Sequence, residues 1–248
     1  MTSDAVELKK LLDFAVDIAR GAGAITYRHF KGSFLTERKA DNSFVTVADR
    51  EAERHLRARI AEAFPDDSIL GEEEGEKSGT SNRRWIIDPV DGTIHSCMEC
   101  RSTVCSFEGE PVLGVVNLPA LGELVYAARG LGCFWNGEVA RVSATSALDQ
   151  ALLLSTDFGV CEQYGFGPAA ESLQRQVQAR RTWGDAYGHM LVATGRTDIM
   201  LDPVMNVWDC AALLPIQEEA GGTFTDWMES ARFTEAMPSP LTGCYLIA

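Results

Sequence analysis

Basic side chains are scarce in this chain. Lys and Arg total 22 against 36 Asp and Glu, a formal net charge of −14. So acidic a chain does not offer the positive face that a phosphate backbone needs, and nucleic acid is not the expected partner. No apolar run reaches the roughly 18–20 residues of a membrane span. Residues 1–10 are polar and amphipathic, without the apolar stretch of a secretory signal, so neither a membrane nor export is expected. Seven cysteines, an odd count without such a signal, suit reduced thiols and a cytoplasmic protein better than a disulfide framework. There is no internal repeat and no long linker. What remains is an ordinary globular composition, 46% hydrophobic and 23% charged, which excludes disordered, collagen-like and coiled-coil chains. A chain of 248 residues buries roughly 70–75% of its unfolded surface and needs no disulfide or metal to fold.

Hydrophobic periodicity organises the rest. Val6, Leu8, Leu11, Leu12, Ala15, Ile18 and Ala19 recur at helical spacing and predict an amphipathic helix over roughly the first 25 residues. Gly21 and Gly23 inside it point to close helix packing or a kink. A second helix is expected over 46–64, ended by Pro65-Asp66-Asp67. A short strand at 68–70, a polar loop at 71–84 and a strand at 85–87 follow. β-like segments come at 103–107, 112–117, 123–128, 132–135 and 139–142. Asn136-Gly137 between the last two signals a tight hairpin. The pattern changes near 143–150. Beyond it lie strands at 152–155, 199–201 and 222–225, helices at 169–178, 186–194 and 207–220, and a last apolar segment at 244–247. Alternating helices and strands predict an α+β protein of layered α and β, in two joined halves, 1–145 and 146–248.

Acidic residues stand where these elements end or begin. Asp49 lies near the start of the second helix, Glu72 and Glu73 follow a strand and a glycine, Asp88 and Asp91 follow another strand, and Asp209 opens a helix. Carboxylates at such positions can converge on one cleft, and hard oxygen donors suit Mg²⁺. Taken singly, each could equally be a helix cap or turn residue. In Asp88-Pro89-Val90-Asp91-Gly92-Thr93, the proline stiffens the turn so that Val90 can offer its carbonyl. Gly92 and Thr93 would open a helix whose free amides could hold a phosphate. Metal ligands beside an anion-binding helix start are what phosphate-ester hydrolysis needs.

Four segments in order resemble the inositol monophosphatase family. They are Lys39-Ala40-Asp41-Asn42-Ser43-Phe44-Val45-Thr46-Val47-Ala48-Asp49, Gly71-Glu72-Glu73, Trp85-Ile86-Ile87-Asp88-Pro89-Val90-Asp91-Gly92-Thr93, and Trp208-Asp209-Cys210-Ala211-Ala212 running on to Glu219-Ala220-Gly221-Gly222. The resemblance implies an α-β-α-β-α sandwich and a Mg²⁺-dependent phosphomonoesterase. It also implies metal ligands at Glu72, Asp88, the Val90 carbonyl, Asp91 and Asp209. Thr93 and Glu72 would position the attacking water, and Asp49 would orient Thr93. Arg181-Thr182-Trp183-Gly184-Asp185-Ala186-Tyr187-Gly188 and Asp202-Pro203-Val204-Met205-Asn206-Val207-Trp208-Asp209 are similar to the histidinol-phosphate phosphatases of this family. That branch implies histidinol phosphate as substrate, with Asp185 and Asp202 meeting its organic part. An inositol phosphate or another small ester, and a catalytically weak metal-binding relative, stay open beside it. So does a homodimer, since the family often forms one.

Two stretches depart from the family pattern. Ile94 to Cys105 reads shorter than expected, which puts the phosphate-binding helix and one strand in question. It also holds His95, Cys97, Cys100 and Cys105, where Cys-x-x-Cys is a metal or redox spacing; buried thiols in an irregular loop are the plainer reading. Segment 231–241 lacks the pattern of the family's closing region. Trp135 and Trp183 are expected in the core or a cleft wall, and His189 in the core or on the surface rather than on a metal.

Overall fold

The computed structural model describes residues 3–30, 36–38, 44–90, 100–107, 109–226 and 244–247. The chain opens with α1 (Ser3–Phe30), a hairpin of β1 (Thr36–Arg38) and β2 (Phe44–Thr46), and α2 (Val47–Ala63). Then come β3 (Ser68–Gly71), β4 (Gly75–Lys77), β5 (Arg83–Ile87), β6 (Cys100–Phe107), β7 (Glu110–Leu118), β8 (Glu123–Ala128), β9 (Gly132–Trp135) and β10 (Glu138–Val139). A 3-10 turn, Leu148–Gln150, leads to β11 (Leu152–Ser155), α3 (Val160–Gln163), α4 (Gly167–Gln176), β12 (Ala179–Thr182) and α5 (Asp185–Ala193). The remainder is β13 (Ile199–Asp202), α6 (Val207–Cys210), α7 (Leu213–Ala220), β14 (Thr223–Asp226) and β15 (Cys244–Ile247).

Eight strands form the first large sheet, in the order β10-β9-β8-β7-β6-β5-β3-β4. β3 and β5 run parallel and the other neighbours antiparallel. Five form the second, β12-β11-β13-β15-β14, in which β11 is parallel to both its neighbours and β15 antiparallel to both of its own. Side chains on a strand alternate between faces, and this alternation assigns the layers. Trp85 and Ile87, with Leu113 and Val115, pack with Leu11, Ile18, Leu56 and Ile60 of α1 and α2. Ile86, Val116, Val125 and Ala127 point the other way, to Met190 of α5 and Leu213 and Ile216 of α7. Leu154 and Met200 of the second sheet close that middle core. Leu153, Ile199 and Leu201 face outward onto Cys161 of α3 and Ala170 of α4. The result is the expected α-β-α-β-α sandwich: one apolar core lies under each outer helix layer, and a third surrounds the central helices between the two sheets.

Close approach explains several glycines. α1 is unbroken through Gly21 and Gly23: a Cβ at Gly21 would lie 2.3 Å from His55 Nε2 of α2, and one at Gly23 2.1 Å from Asn117 Nδ2 of β7. The glycines therefore serve close packing. At Gly114 of β7 an added Cβ would sit 2.1 Å from the backbone oxygen of Ala212, between α6 and α7. The Asn136-Gly137 hairpin forms as expected, both residues at positive φ (51° and 92°) and Trp135 paired with Glu138.

Some elements differ from expectation. The loop predicted over 71–84 contains β4, paired with β3. The single helix predicted over 207–220 is two, α6 and α7. Pro215 has no N–H to give to Ala211, so it falls in the first turn of a new helix, where none is needed. Ala211 and Ala212 nevertheless keep right-handed helical dihedrals. The strand put in question by the short 94–105 stretch is present as β6, paired with β5 and β7 with register shifts at Arg101/Thr103 and Cys105/Ser106.

Candidate active site

The parallel pair β3 and β5 brings the two leading carboxylates together in the fold. Gly71 and Ile87 are register partners at the C-terminal ends of these strands, and the Glu72 amide donates to the Ile87 carbonyl at 3.3 Å. Glu72 and Asp88 are therefore the next residues outward on adjacent strands, about 5 Å apart by strand spacing. Glu72 is half-buried and Asp88 is 1% exposed. Pro89 and Val90 continue the turn below the surface. The carboxyl ends of parallel strands are where open α/β sheets place their ligands.

Asp49 stands in the first turn of α2 and is buried. One helical turn on, the fully buried Glu53 reaches the same strand end. Its Oε2 accepts the Glu73 amide at 2.8 Å, and its Oε1 accepts the Glu74 amide at 2.9 Å and Arg57 Nε at 2.8 Å. Arg57 Nη2 in turn donates to the Gly75 carbonyl. The space between is so tight that a Cβ at Gly71 would lie 2.2 Å from Glu53 Oε1. α2 thus clamps the turn that carries Glu72. Sequence reasoning missed Glu53 and Arg57; the available signal was the i, i+4, i+8 spacing of Asp49, Glu53 and Arg57, which puts three charges on one helix face.

Asp209 sits in the first turn of α6, which lies against β5. Its Oδ2 accepts the Asn206 backbone amide and, at 3.2 Å, Asn206 Nδ2, in a capping box. Asp209 therefore has a helix-capping role whatever else it does. Asp91, Gly92 and Thr93 lie outside the described residues, as do His95 and Cys97; Cys100 and Cys105 belong to the backbone of β6. Among the described residues no group of three or more His, Cys, Asp or Glu is gathered to hold a metal. The chemistry of the donors is nevertheless one-sided. Segments 71–76 and 85–93 offer carboxylate and carbonyl oxygen with no thiol or imidazole, which fits a hard divalent cation and not a soft one.

Asp185 and Asp202 fall on the second sheet's side. Asp185 begins α5 with φ +53°, a left-handed conformation uncommon for a residue with a side chain. The cap position belongs to Gly184, and no side-chain capping bond forms. Asp202 ends β13, 7% exposed, with Oδ1 accepting Thr156 Oγ1 at 2.6 Å and Oδ2 meeting His189 Nε2 at 3.1 Å. His189 is fully buried, in agreement with a core histidine. Trp183 is 51% exposed, edge-on to Tyr187 at 5.6 Å between ring centroids, so it lies outside the cores. Trp135 is half-buried beneath the Arg196 guanidinium, 4.4 Å from its ring centre, while Arg196 also pairs with Glu123 through two bonds.

This layered fold, with acidic residues at the ends of β3 and β5, matches one family model, the inositol monophosphatase family, over residues 7–243. A histidinol-phosphatase of Chlorobaculum parvum is 41% identical over 225 residues, covering 87% of this chain and 85% of its own. A fructose-1,6-bisphosphatase/inositol-1-monophosphatase of Thermotoga maritima is 36% identical, with 87% and 84% covered. Among solved structures, the Thermotoga maritima IMPase superposes with a TM-score of 0.82 at 32% identity, over 96% of this chain and 92% of that one. The chain belongs to the inositol monophosphatase family, whose members are metal-dependent. It is accordingly a phosphomonoesterase, a hydrolase acting on small phosphate esters. Among the described residues no helix is long and apolar enough to cross a membrane.

Proposed function

We propose that the substrate is histidinol phosphate, hydrolysed to histidinol and inorganic phosphate with Mg²⁺ bound by Glu72, Asp88, the Val90 carbonyl, Asp91 and Asp209. The observation that carries the metal assignment is the placement of Glu72 and Asp88 at neighbouring parallel strand ends, in segments whose donors are all oxygen. The substrate assignment is supported by the relatives named histidinol-phosphatase, from Chlorobaculum parvum and, at 35% identity, Streptomyces coelicolor. Bound Mg²⁺ supplies neutralisation of phosphoryl charge and a more acidic water.

The chain's own residues do the rest. Glu72 accepts a proton from the attacking water, and the Thr93 hydroxyl holds that water in line with phosphorus. Asp49, rigid in the first turn of α2, orients Thr93. The amides of Gly92 and Thr93 hold the phosphoryl oxygens. Water oxygen bonds to phosphorus as the ester oxygen leaves, and the leaving oxygen takes up the proton that Glu72 drew from the water, giving the alcohol and restoring the carboxylate, so no phospho-enzyme forms. Asp185 receives the cationic organic part, with Asp202 beneath it. In this reading 1–145 supplies most metal ligands, 146–248 supplies Asp209 and the substrate contacts, and the enzyme works in the cytoplasm as a homodimer.

The test is turnover of histidinol phosphate in Mg²⁺ and in EDTA, with inositol 1-phosphate alongside. Activity only with Mg²⁺, and faster on histidinol phosphate, is expected. Equal rates in EDTA overturn the metal assignment, and preference for inositol 1-phosphate overturns the substrate. Binding of Mg²⁺ that inorganic phosphate does not strengthen would instead mark a weak, metal-binding relative.

A further inference from the structure

The left-handed backbone of Asp185 is held by a hydrogen-bonded chain that begins deep in the second half of the molecule. His189 is fully enclosed. Its carbonyl receives Gln217 Nε2 at 2.6 Å, and its ring lies 6.1 Å from that of Phe224. Its Nδ1 has no hydrogen-bond partner among the described residues, and its Nε2 meets Asp202 Oδ2. A carboxylate only accepts, so Nε2 carries the proton of that bond. Asp202 is thereby fixed on one side, and its other oxygen takes the Thr156 hydroxyl proton at 2.6 Å.

A hydroxyl has one proton and two lone pairs. With its proton committed to Asp202, Thr156 Oγ1 can only accept from elsewhere, and it accepts the Asp185 amide at 3.1 Å. The bonds converge on Asp202: Asp185 donates to Thr156 and Thr156 to Asp202 from one side, and His189 donates to Asp202 from the other. Gly184 lets the backbone pass hard against this hydroxyl: a Cβ there would lie 1.9 Å from Thr156 Oγ1. A non-glycine residue at φ +53° persists only when its surroundings over-determine it, and such residues gather at functional sites.

We propose that Thr156 is a positioning residue, which fixes Asp185 through the Asp202–His189 pair and so sets the enzyme's preference for phosphate esters that carry a positive charge. The selectivity half rests on the reading of Asp185 as the carboxylate that meets the substrate cation. The positioning half stands on the geometry alone. Thr156 is exposed, so loss of its hydroxyl leaves the cores intact.

The experiment compares wild type, Thr156→Val and Thr156→Ser on histidinol phosphate and on glycerol 2-phosphate, which has no cation, and adds a crystal structure of T156V. In T156V, KM for histidinol phosphate should rise roughly five- to tenfold, the worth of one such hydrogen bond, with kcat within about twofold. KM for glycerol 2-phosphate should not move, T156S should behave as wild type, and Asp185 should relax out of the left-handed region. Equal KM changes on the two esters, or none on either, overturn the selectivity role. Asp185 still at positive φ in T156V overturns the positioning role. A wild-type enzyme without preference for histidinol phosphate overturns the substrate reading instead, and the T156V structure then still decides the positioning.

Discussion

Glu53 shows how much one side chain can hold. Its carboxylate is buried with Arg57 and takes two backbone amides of the turn after β3, so it compensates its own burial and shapes the segment bearing Glu72. Removing one partner of a buried charge pair costs about 3–5 kcal/mol. Glu53→Gln should therefore lower the free energy of unfolding, measured by urea titration, by an amount of that order, and weaken Mg²⁺ binding measured by calorimetry. Asp88→Asn, which keeps the shape and removes the charge, should cut turnover by roughly a hundredfold or more with little loss of stability by thermal melting. Cys133 gives a pH test. Burial pushes its thiol from 9.0 up to about 12, against a smaller opposing effect of Arg141. The unfolded chain then binds fewer protons than the folded one between these values, so this stabilisation is whole below pH 9 and fades as pH rises toward 12. Cys133→Ala should flatten the fall in unfolding free energy over pH 9–11. At this scale the acids at strand ends were legible because type and spacing together are informative. Thr156 was not, because a threonine after a strand becomes significant only through partners 29 and 46 residues away; Glu53 left only its helical spacing with Asp49 and Arg57, while the turn it clamps lies 20 residues on.

Elements were legible where periodicity was strong. The strands of the middle core alternate or run fully apolar, and β8, β9 and β11 fall where the pattern put them. β4 (Gly-Glu-Lys) and β12 (Ala-Arg-Arg-Thr) are edge strands with no apolar face; their pairing comes from the neighbour's backbone, which leaves no trace in their own side chains. The division between α6 and α7 was signalled by Pro215 and overlooked because the apolar pattern continues across it. That joint matters, since Ala212 sits directly on Gly114 of β7. Gly114→Ala should force the helix pair and its Asp209 away from the first sheet, costing about 1–3 kcal/mol and a larger share of activity than of stability. Paired melting and turnover measurements check it.

Taken whole, the molecule joins a negative balance of charge to a set of strand-end carboxylates, so cations should act on its stability as well as its rate. A ligand at a hundred times its Kd stabilises by about 2.7 kcal/mol. Mg²⁺ should raise the melting temperature of the wild type and leave that of Asp88→Asn nearly unchanged, by differential scanning calorimetry. The layering itself was foreseeable from alternation of helices and strands, but the order of the second sheet was not, because it depends on a strand of four residues inserted between β13 and β14. β15 lies between β13 and β14, and among the described residues it is the one sheet neighbour of β14. During synthesis, then, the strands bearing Glu72 and Asp88 can assemble while the second sheet still lacks the strand that joins β13 to β14. The second sheet of a nascent chain is thus left in two unjoined pieces until Cys244–Ile247 emerges between them.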